Sequence, residues 1–487
     1  MHQLILKKKL RFFEGWVEVA EASAVLERIR QDGVRWVDLQ FVDFTGGLQH
    51  ITIPAHHFGE GELEHGVGKL DGSSIKGFKQ IFESDMVLMP DPATYARIPW
   101  EQYTCRIYCD IMEAGGTDRF TRDSRHIARR AEHELGKHGF DVSYWGPEPE
   151  FFVFDAVKFE THAPFKGQSY SVESSEAAWA AGGTNYPIRF KEGYYPAPPV
   201  DSLQEFRRQV CTLMEDAFGI EVDAHHHEVA TAGQVEIDMK YAPLVQMADN
   251  LVTYKFVSKN LGKQHGKMVT FLPKPIFGDN ASGMHVHQSL WGGGRNKFYD
   301  ESDEYAGVSQ TCRYYIGGLL EHGRALSAFV SPTTNSYKRL VPGYEAPVYL
   351  AWSRRNRSAA VRIPMYHGGE GAKRIEYRPP DPSCNPYLAF AAMAAAGLDG
   401  IKRRLEPGDS VDQNIYHLSP AKRKEFGIRE LPGSLEEALA ALESDSQFLE
   451  PVFGRDAVEM HLDLKREEHK QNSIRPTPYE FQMYLDV

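Results

Sequence analysis

One stretch of the chain, residues 223–238, holds carboxylates at a spacing that suits a cation site. Apolar and polar residues alternate after Gly233, which is typical of a half-buried β-strand. Gly233 also favours a three-residue hairpin loop centred on Ala232, and this loop places Glu228 directly opposite Glu236. Because like charges on facing positions repel, we expect a divalent cation between them. The alternative is a solvated face of an edge hairpin.

A second stretch, residues 145–154, carries Glu148 and Glu150 two positions apart. An extended chain directs both side chains to one face, and Pro149 between them favours extended geometry. A short apolar run follows and fits a buried strand. Four carboxylates on two strand pairs predict one or two Mg²⁺ or Mn²⁺ ions.

Histidines occur in a third predicted strand, where His285, His287 and Ser289 share one face. A single histidine of this kind is usually a hydrogen-bonded core residue. Two in register, beside a glycine-rich turn, favour metal ligation or contact with phosphate. The residues alone do not decide between these two roles.

Arginines are concentrated in a late segment of this acidic chain. Arg374, Glu376 and Arg378 share a face of a predicted strand, and a solvated ladder of ion pairs is the simpler interpretation. Because guanidinium groups match carboxylate and phosphate geometry, we favour anion recognition. Neither GxxxxGK[ST] nor GxGxxG occurs, so a nucleotide is expected to bind through metal and arginine. The other arginines of the segment are Arg339, Arg354, Arg355, Arg357 and Arg362.

Composition narrows the class of protein. The 487 residues are enough for two or more domains, and a net charge of −12 leaves no basic footprint for nucleic acid. The five cysteines include no CxxC pair and indicate reduced thiols in a cytoplasmic protein. No stretch approaches the roughly 18 apolar residues of a membrane span. We therefore expect neither nucleic acid nor a membrane as partner.

Strands and helices interleave without regular βαβ spacing, which indicates an α+β fold. The turn at 115–118 predicts a small strand-rich domain over residues 1–113, with a short N-terminal extension over 1–20, and a larger domain over 114–487. Residues 156–193 lack a pattern and predict a long functional or mobile loop. Helices are predicted at 21–32, 124–138, 202–218, 243–262, 312–329, 386–404, 434–442 and 454–470.

From about Val25 to Val487 the chain resembles class I glutamine synthetase. No single motif is specific for this family, but the matching segments taken together are. The matching segments are 70–75, 83–90, 146–152, 225–234, 274–280, 335–347 and 356–359.

The resemblance implies an N-terminal β-grasp domain and a catalytic domain with a large antiparallel sheet. It also implies a dodecamer of two hexameric rings, with active sites between subunits and Asp71 supplied by the neighbouring chain. The reaction it implies is the ATP-dependent ligation of ammonium to L-glutamate through a γ-glutamyl phosphate.

Residue roles follow from the same resemblance, with two or more Mg²⁺ or Mn²⁺ ions in each site. One metal site takes Glu150, Glu228 and Glu236, and the other takes Glu148, His285 and Glu376. Asp71, Arg357 and Glu345, the last on a flap that closes the site, are the implied catalytic residues. The implied ammonium contacts are Asp71, Ser74, Tyr194 and Glu228, the glutamate contacts are Asn280, Ala281, Arg339, Glu345, Arg357 and Arg378, and the ATP contacts are Asp223, Tyr241, His287, Ser289, Arg357, Arg362 and Arg374.

Three departures from the family pattern stand out. Ala281 replaces a common glycine, and segment 366–371 lacks the lysine expected near ATP, a role that Lys373 can take over. Tyr416 lies where some bacterial members are adenylylated, but its surroundings differ.

Two other functions compete with the leading one. A γ-glutamyl ligase of the same fold would act on another amine, but it is expected to lose the ammonium-site acid, whereas Asp71 and Tyr194 are present. A non-catalytic relative has no reason to keep a full set of metal carboxylates.

Overall fold

The computed structural model describes residues 19–180, 182–342, 346–366 and 368–487. The helices are α1 Val19–Gln31, α2 Glu60–His65, α3 Ser124–Lys137, α4 Gln204–Phe218, α5 Leu244–Gln264, α6 Gln310–Glu321, α7 Gly323–Val330, α8 Ser336–Arg339, α9 Pro386–Arg403, α10 Pro420–Glu425, α11 Leu435–Ser444, α12 Glu450–Phe453, α13 Arg455–Ser473 and α14 Pro478–Tyr484. Among the described helices, none combines the length and the hydropathy that crossing a membrane requires.

The strands are β1 Trp36–Val42, β2 Leu48–Pro54, β3 Val67–Asp71, β4 Asp85–Pro90, β5 Ala96–Arg97, β6 Thr104–Glu113, β7 Val142–Phe154, β8 Ala156–Glu160, β9 Ser169–Glu173, β10 Val222–His227, β11 Gln234–Met239, β12 Ala242–Pro243, β13 Met268–Thr270, β14 Met284–Gly292, β15 Arg295–Asn296, β16 Tyr349–Arg354, β17 Ala359–Ile363, β18 Ile375–Tyr377 and β19 Arg429–Glu430.

The chain divides into two compact units, Met1–Arg129 with Asp216–Gly219, and Arg130–Glu215 with Ile220–Val487. The first unit contains a sheet in the order β2-β1-β6-β4-β3, in which β5 also pairs with β6. Strand β1 runs parallel to β6, and the other pairs are antiparallel. Its core includes Val37, Leu39 and Ile107, each with no exposed surface.

The second unit is built on a larger sheet in the order β10-β11-β7-β14-β18-β17-β16-β19. Only the β16–β17 pair among these neighbours is parallel within the described residues. Helix α9, rich in alanine, is buried along most of its length. This arrangement confirms the predicted α+β class and the large, mainly antiparallel sheet.

Three local predictions were wrong or incomplete. Residues 156–173, predicted to be patternless, form the β8–β9 hairpin. The helix predicted over 312–329 is interrupted at His322, which separates α6 from α7. The β10–β11 register places His226, and not Glu228, opposite Glu236. The connection spans residues 228–233 and is therefore wider than the predicted three residues. Ala232 and Gly233 both adopt positive φ in this turn.

The helical part of the second unit contains two buried histidines in opposite electrostatic settings. His322 contacts Asp445 through Nδ1 at 2.8 Å and Asp399 through Nε2 at 2.9 Å. Burial opposes the charged form, but the two carboxylates outweigh it and raise the pKa of His322 above 6.5. Burial, with Lys465 nearby, lowers the pKa of His461 to about 3, and its Nε2 donates to the Ala328 carbonyl at 2.7 Å.

These two histidines predict opposite dependences of stability on pH. A raised pKa contributes stability that is complete below pH 6.5 and disappears as the pH rises through the folded-state value. A lowered pKa costs stability as the pH falls below 6.5, by up to about 1.4 kcal/mol per pH unit. The excess melting temperature of the wild type over His322→Gln should therefore shrink toward pH 9. The excess melting temperature of the wild type over His461→Gln should shrink toward pH 5.5. If both differences changed in the same direction with pH, the opposite pKa shifts of the two histidines would be contradicted.

Candidate active site

Five of the six predicted metal ligands lie together on one face of the large sheet. Adjacent strands β11, β7, β14 and β18 carry them in register, so that Glu236 faces Glu150 and Glu148 faces His285. On the next pair, His287 faces Glu376. Residues opposite each other in an antiparallel pair share a face. The side chains line a cavity of about 1120 Å³.

The group Glu148, His285 and Glu376 has the arrangement that the resemblance implies for one metal site. The Nδ1 atom of His285 lies 3.4 Å from Glu148 and 3.7 Å from Glu376. One ligand atom from each of the three residues lies within 4.8 Å of the others. Burial, assisted by Arg378, lowers the pKa of His285 to about 4, so its ring is neutral and able to ligate.

The second metal group is only partly as predicted. Glu150 and Glu236 face each other, but Glu228 lies in the connecting loop and reaches Glu236 through His226. The His226 ring nitrogens lie 3.5 Å from Glu228 and 3.2 Å from Glu236. His226 and Glu236 also form a compact group with Asp238. The sequence analysis missed His226 and Asp238, although Asp238 shares the period-2 face of Glu236.

Electrostatics at this second group favour a cation. Burial and then the neighbouring carboxylates raise the pKa values of Glu150 and Glu236, and burial with Glu148 raises that of Asp238 to about 7. Asp238 Oδ1 is buried without a hydrogen-bond partner among the described residues. A cluster of oxygen donors with one or two imidazoles suits Mg²⁺ or Mn²⁺, so the residues present fit the metal that the resemblance implies.

Arginines lie beside the carboxylates on the β17–β18 side of the cavity. Arg362 and Arg378 each contact Glu376 at 2.5 Å. The Tyr366 hydroxyl accepts from Arg362 at 2.8 Å and from Arg357 at 3.3 Å. Guanidinium groups that meet at one oxygen can hold an anionic oxygen there.

Residues assigned to glutamate line the same cavity. Arg339 is buried and donates to the carbonyls of Pro379 and Arg378, at 2.6 and 3.1 Å. Asn280, Ala281 and Arg378 share this wall, and Tyr194 and Glu228 lie along it as well.

A second cavity of about 320 Å³ adjoins the first and is lined by five of the seven residues assigned to ATP, whereas Arg357 and Arg362 line the first. The Tyr144 ring packs edge-on against Tyr241 and Trp291, with ring centroids 5.2 Å and 5.8 Å apart. These rings give the cavity an aromatic wall. Aromatic faces stack well on nucleobases. The two cavities share Glu148, Asp238, His287 and Arg374, and the other ATP candidates in the second are Asp223, Tyr241 and Ser289.

The remaining candidates have varied placements. Asp71 and Ser74 belong to the first unit, where the Asp71 carboxylate accepts from the Ser73 amide at 2.9 Å and from the Ser74 hydroxyl at 3.2 Å. Asp71 therefore caps its turn, whatever else it does. Glu345 lies outside the described residues. Lys373 Nζ donates to the Ala306 carbonyl, and the Tyr416 hydroxyl donates to the Ala346 carbonyl at 2.7 Å.

A cation site on a sheet, flanked by arginines and an aromatic cleft, is typical of enzymes that transfer a phosphoryl group from a nucleotide. Comparison with known proteins narrows this class. The family description "Glutamine synthetase, beta-Grasp domain" matches residues 33–114, and "Glutamine synthetase, catalytic domain" matches 121–484. The chain belongs to the glutamine synthetase family, a family of ligases, which confirms the resemblance and the β-grasp and catalytic folds.

Individual relatives agree with this assignment along nearly the whole chain. Glutamine synthetase of Sulfolobus acidocaldarius is 56% identical over 463 residues, covering 95% of this chain and 98% of the relative. Glutamine synthetase of Salmonella typhimurium is 47% identical over 476 residues, covering 96% of this chain and 100% of the relative. The solved Plasmodium falciparum glutamine synthetase superposes with a TM-score of 0.86 at 27% identity, covering 98% of this chain and 100% of that one.

The carboxylate cluster predicts how the protein responds to losing one acid. Glu236→Gln should abolish activity and weaken the rise in melting temperature on adding MnCl₂, because a cation ligand is lost. Without metal the variant should be as stable as the wild type or more so, because one of the repelling carboxylates is removed. Thermal melts with chelator and with added metal measure both effects.

Glu221→Gln is the matched control, because Glu221 lies just before β10 in an exposed ion pair with Lys240. It should leave activity and the metal response unchanged. Full activity of wild-type enzyme after exhaustive chelation would contradict the metal assignment.

Proposed function

We propose that the protein joins ammonia to L-glutamate with hydrolysis of ATP, and that a γ-glutamyl phosphate is the intermediate. The observation that carries this proposal is the meeting of the two cavities at Glu148, Asp238, His287 and Arg374. A triphosphate bound from the aromatic side therefore reaches the arginine and carboxylate wall where glutamate is proposed to bind. The product, L-glutamine, assigns the chain to nitrogen metabolism.

In the first step, a γ-carboxylate oxygen of glutamate attacks the terminal phosphorus of ATP, and ADP leaves with the electron pair of the broken bond. Arg357, Arg362 and Arg374 hold the phosphates and balance charge as it spreads over the transferred oxygens. Arg339 and Arg378, with Asn280 and the backbone of Ala281, orient glutamate. Glu148, His285 and Glu376, with Glu150, Glu228 and Glu236, would hold two or more Mg²⁺ or Mn²⁺ ions, which would neutralise charge on the phosphates.

In the second step, ammonia attacks the activated carbonyl carbon, and phosphate leaves. Ammonium binds as a cation but reacts only as neutral ammonia, so the site must attract the charge and then take up a proton. Glu228 supplies negative charge and Tyr194 an oxygen contact, while Asp71 and Ser74 complete the site. Glu345 is proposed to accept the proton.

Asp71 and Ser74 are proposed to come from the neighbouring subunit of a dodecamer of two hexameric rings in the cytoplasm. Each site would then depend on two chains. The boundary between the two domains is proposed to lie near residue 113.

A γ-glutamyl ligase that uses another amine remains the second candidate. Purified protein with glutamate and ATP should therefore be assayed against ammonium, methylamine, ethylamine and putrescine. We expect the highest kcat/KM with ammonium and a decline with size, since Glu228, Asp71 and the Tyr194 hydroxyl are proposed to hold a small cation. A larger amine that outperforms ammonium would establish the second candidate instead.

Asp71→Ala and Asp71→Asn separate an ammonium-binding role from turn capping. Both remove the charge, but asparagine keeps a capping oxygen. If Asp71 binds ammonium, both should raise the KM for ammonium by roughly 30- to 150-fold and lose less with hydroxylamine, which is largely neutral at the same pH. Equal losses with the two amines, or near-normal behaviour of Asp71→Asn, would assign Asp71 to capping.

Asp71→Ala also tests whether neighbouring subunits share each active site. Asp71→Ala subunits, impaired in ammonium use, mixed and reassembled with inactive Arg339→Ala subunits should regain activity at low ammonium concentration, because some sites then combine two intact contributions. Particles should elute near twelve times 55.1 kDa. Failure to regain activity in mixed particles of that size would place both residues in one chain's site.

A further inference from the structure

Three loops carry four of the residues proposed to handle glutamate and ammonium. Loop 189–195 carries Tyr194, loop 228–233 carries Glu228, and loop 278–283 carries Asn280 and Ala281. Loops have no strand ladder to fix them, so these side chains need another source of precise placement.

One buried carboxylate contacts all three loops. Asp279, which has no exposed surface, accepts from the Lys191 amide at 3.0 Å and from the Asn280 amide at 2.9 Å, both through Oδ1. Its Oδ2 accepts from the Thr231 amide at 2.7 Å. Each bond joins a charged acceptor to a backbone donor, and such bonds are shorter and stronger than neutral ones.

The backbone of these loops is held in unfavourable conformations. Lys191, Tyr195 and Ala232 have φ values of 63°, 58° and 65°, in the left-handed region that non-glycine residues seldom occupy. Such residues persist only where surrounding contacts determine them. Lys191, whose amide binds Asp279, is one of them.

Further contacts lock the first two loops together. Gly193 donates to the Val229 carbonyl at 2.9 Å, and the His227 ring contacts the Gly193 carbonyl at 2.8 Å. A Cβ atom at Gly193 would lie 2.5 Å from the Glu228 carbonyl oxygen, so only glycine permits this approach. A change at Asp279 is therefore transmitted to Tyr194 and Glu228 together.

The residues assigned to ATP are placed differently. Asp223 lies on β10, His287 and Ser289 lie on β14, and Tyr241 lies between β11 and β12. In the described part of the chain, the hydrogen bonds of the Asp279 carboxylate go to Lys191, Thr231 and Asn280 and to none of these four residues. These four ATP candidates therefore depend on the sheet and its edge, whereas Tyr194, Glu228, Asn280 and Ala281 depend on the three loops.

We propose that Asp279 is a positioning residue that fixes the glutamate and ammonium side of the site without fixing the nucleotide side. The proposal rests on the proposed function. Asp279 touches no reacting atom in it and acts through the backbone of Lys191, Thr231 and Asn280.

Asp279→Asn is the test, because it preserves shape but supplies only one acceptor oxygen. The amide NH₂ group must then face at least one backbone N–H, donor against donor. We expect kcat/KM for glutamate and for ammonium to fall about 10- to 100-fold, since small displacements of positioned groups cost this much. The dissociation constant for ADP, measured by calorimetry on the full-length variant, should stay within about twofold of wild type.

Asp43→Asn is the matched control. Asp43 is also buried and accepts two backbone amides through Oδ1, from Thr45 at 2.8 Å and Gly47 at 2.9 Å, but in the β1–β2 turn. It should lower the melting temperature without changing either KM. If Asp279→Asn weakens ADP binding as much as glutamate use, or if it only lowers the melting temperature, the proposal is overturned.

Hydrogen exchange on the wild-type protein gives a second readout if Asp279→Asn does not fold. Peptides containing Lys191, Thr231 and Asn280 should show similar protection, within about tenfold, because one carboxylate holds all three amides. Rapid exchange of one loop while the other two stay protected would contradict the common anchor. Wild-type enzyme that does not use glutamate would overturn the proposed function itself, whereas the exchange result would still decide whether Asp279 anchors the loops.

Discussion

Repulsion among carboxylates on one face of the large sheet is the constraint on which the site depends. Strand register fixes Glu236 against Glu150 and brings Glu148 beside them, so the fold cannot separate these charges without losing its pairing. The cost of burying like charges must then be met by protons, by basic side chains or by a cation. The raised pKa values of Glu150 and Glu236 favour protons, Arg362 and Arg378 supply basic side chains at Glu376, and a cation is the proposed functional state.

The two halves of the cluster meet this cost in different ways. Although burial acts against it, Arg378 and neighbouring histidines hold the pKa of Glu376 below its ordinary value. At the other half, burial and neighbouring acids raise the pKa values of Glu150 and Glu236. A cation there replaces protons and relieves repulsion directly, whereas a cation at Glu376 must compete with two arginines. We therefore expect the group with Glu150 and Glu236 to depend more on metal than the group with Glu376.

Sequence reasoning reached the elements and most of the carboxylates because both follow from short-range periodicity. Alternation placed Glu148 and Glu150 on one face, and the structure agrees with that. It failed at the β10–β11 turn, because the width of a turn depends on backbone conformations such as the positive φ of Ala232, which side-chain pattern does not reveal. The predicted register was therefore shifted by two residues: it placed Glu228 opposite Glu236, where the structure has His226. Long-range partners such as Asp279 and Thr231, 48 positions apart, leave no local signal at all.

The division between sheet and loops has a physical logic. Cation and phosphate carry concentrated charge, and small errors in their placement are costly in a low-dielectric site, so strands with fixed register are the suitable support. Glutamate and ammonium must enter and the product must leave, which favours loops. A loop that can open still needs one defined closed geometry, and a single buried carboxylate that accepts three backbone amides supplies it while leaving the side chains of those loops available for substrate.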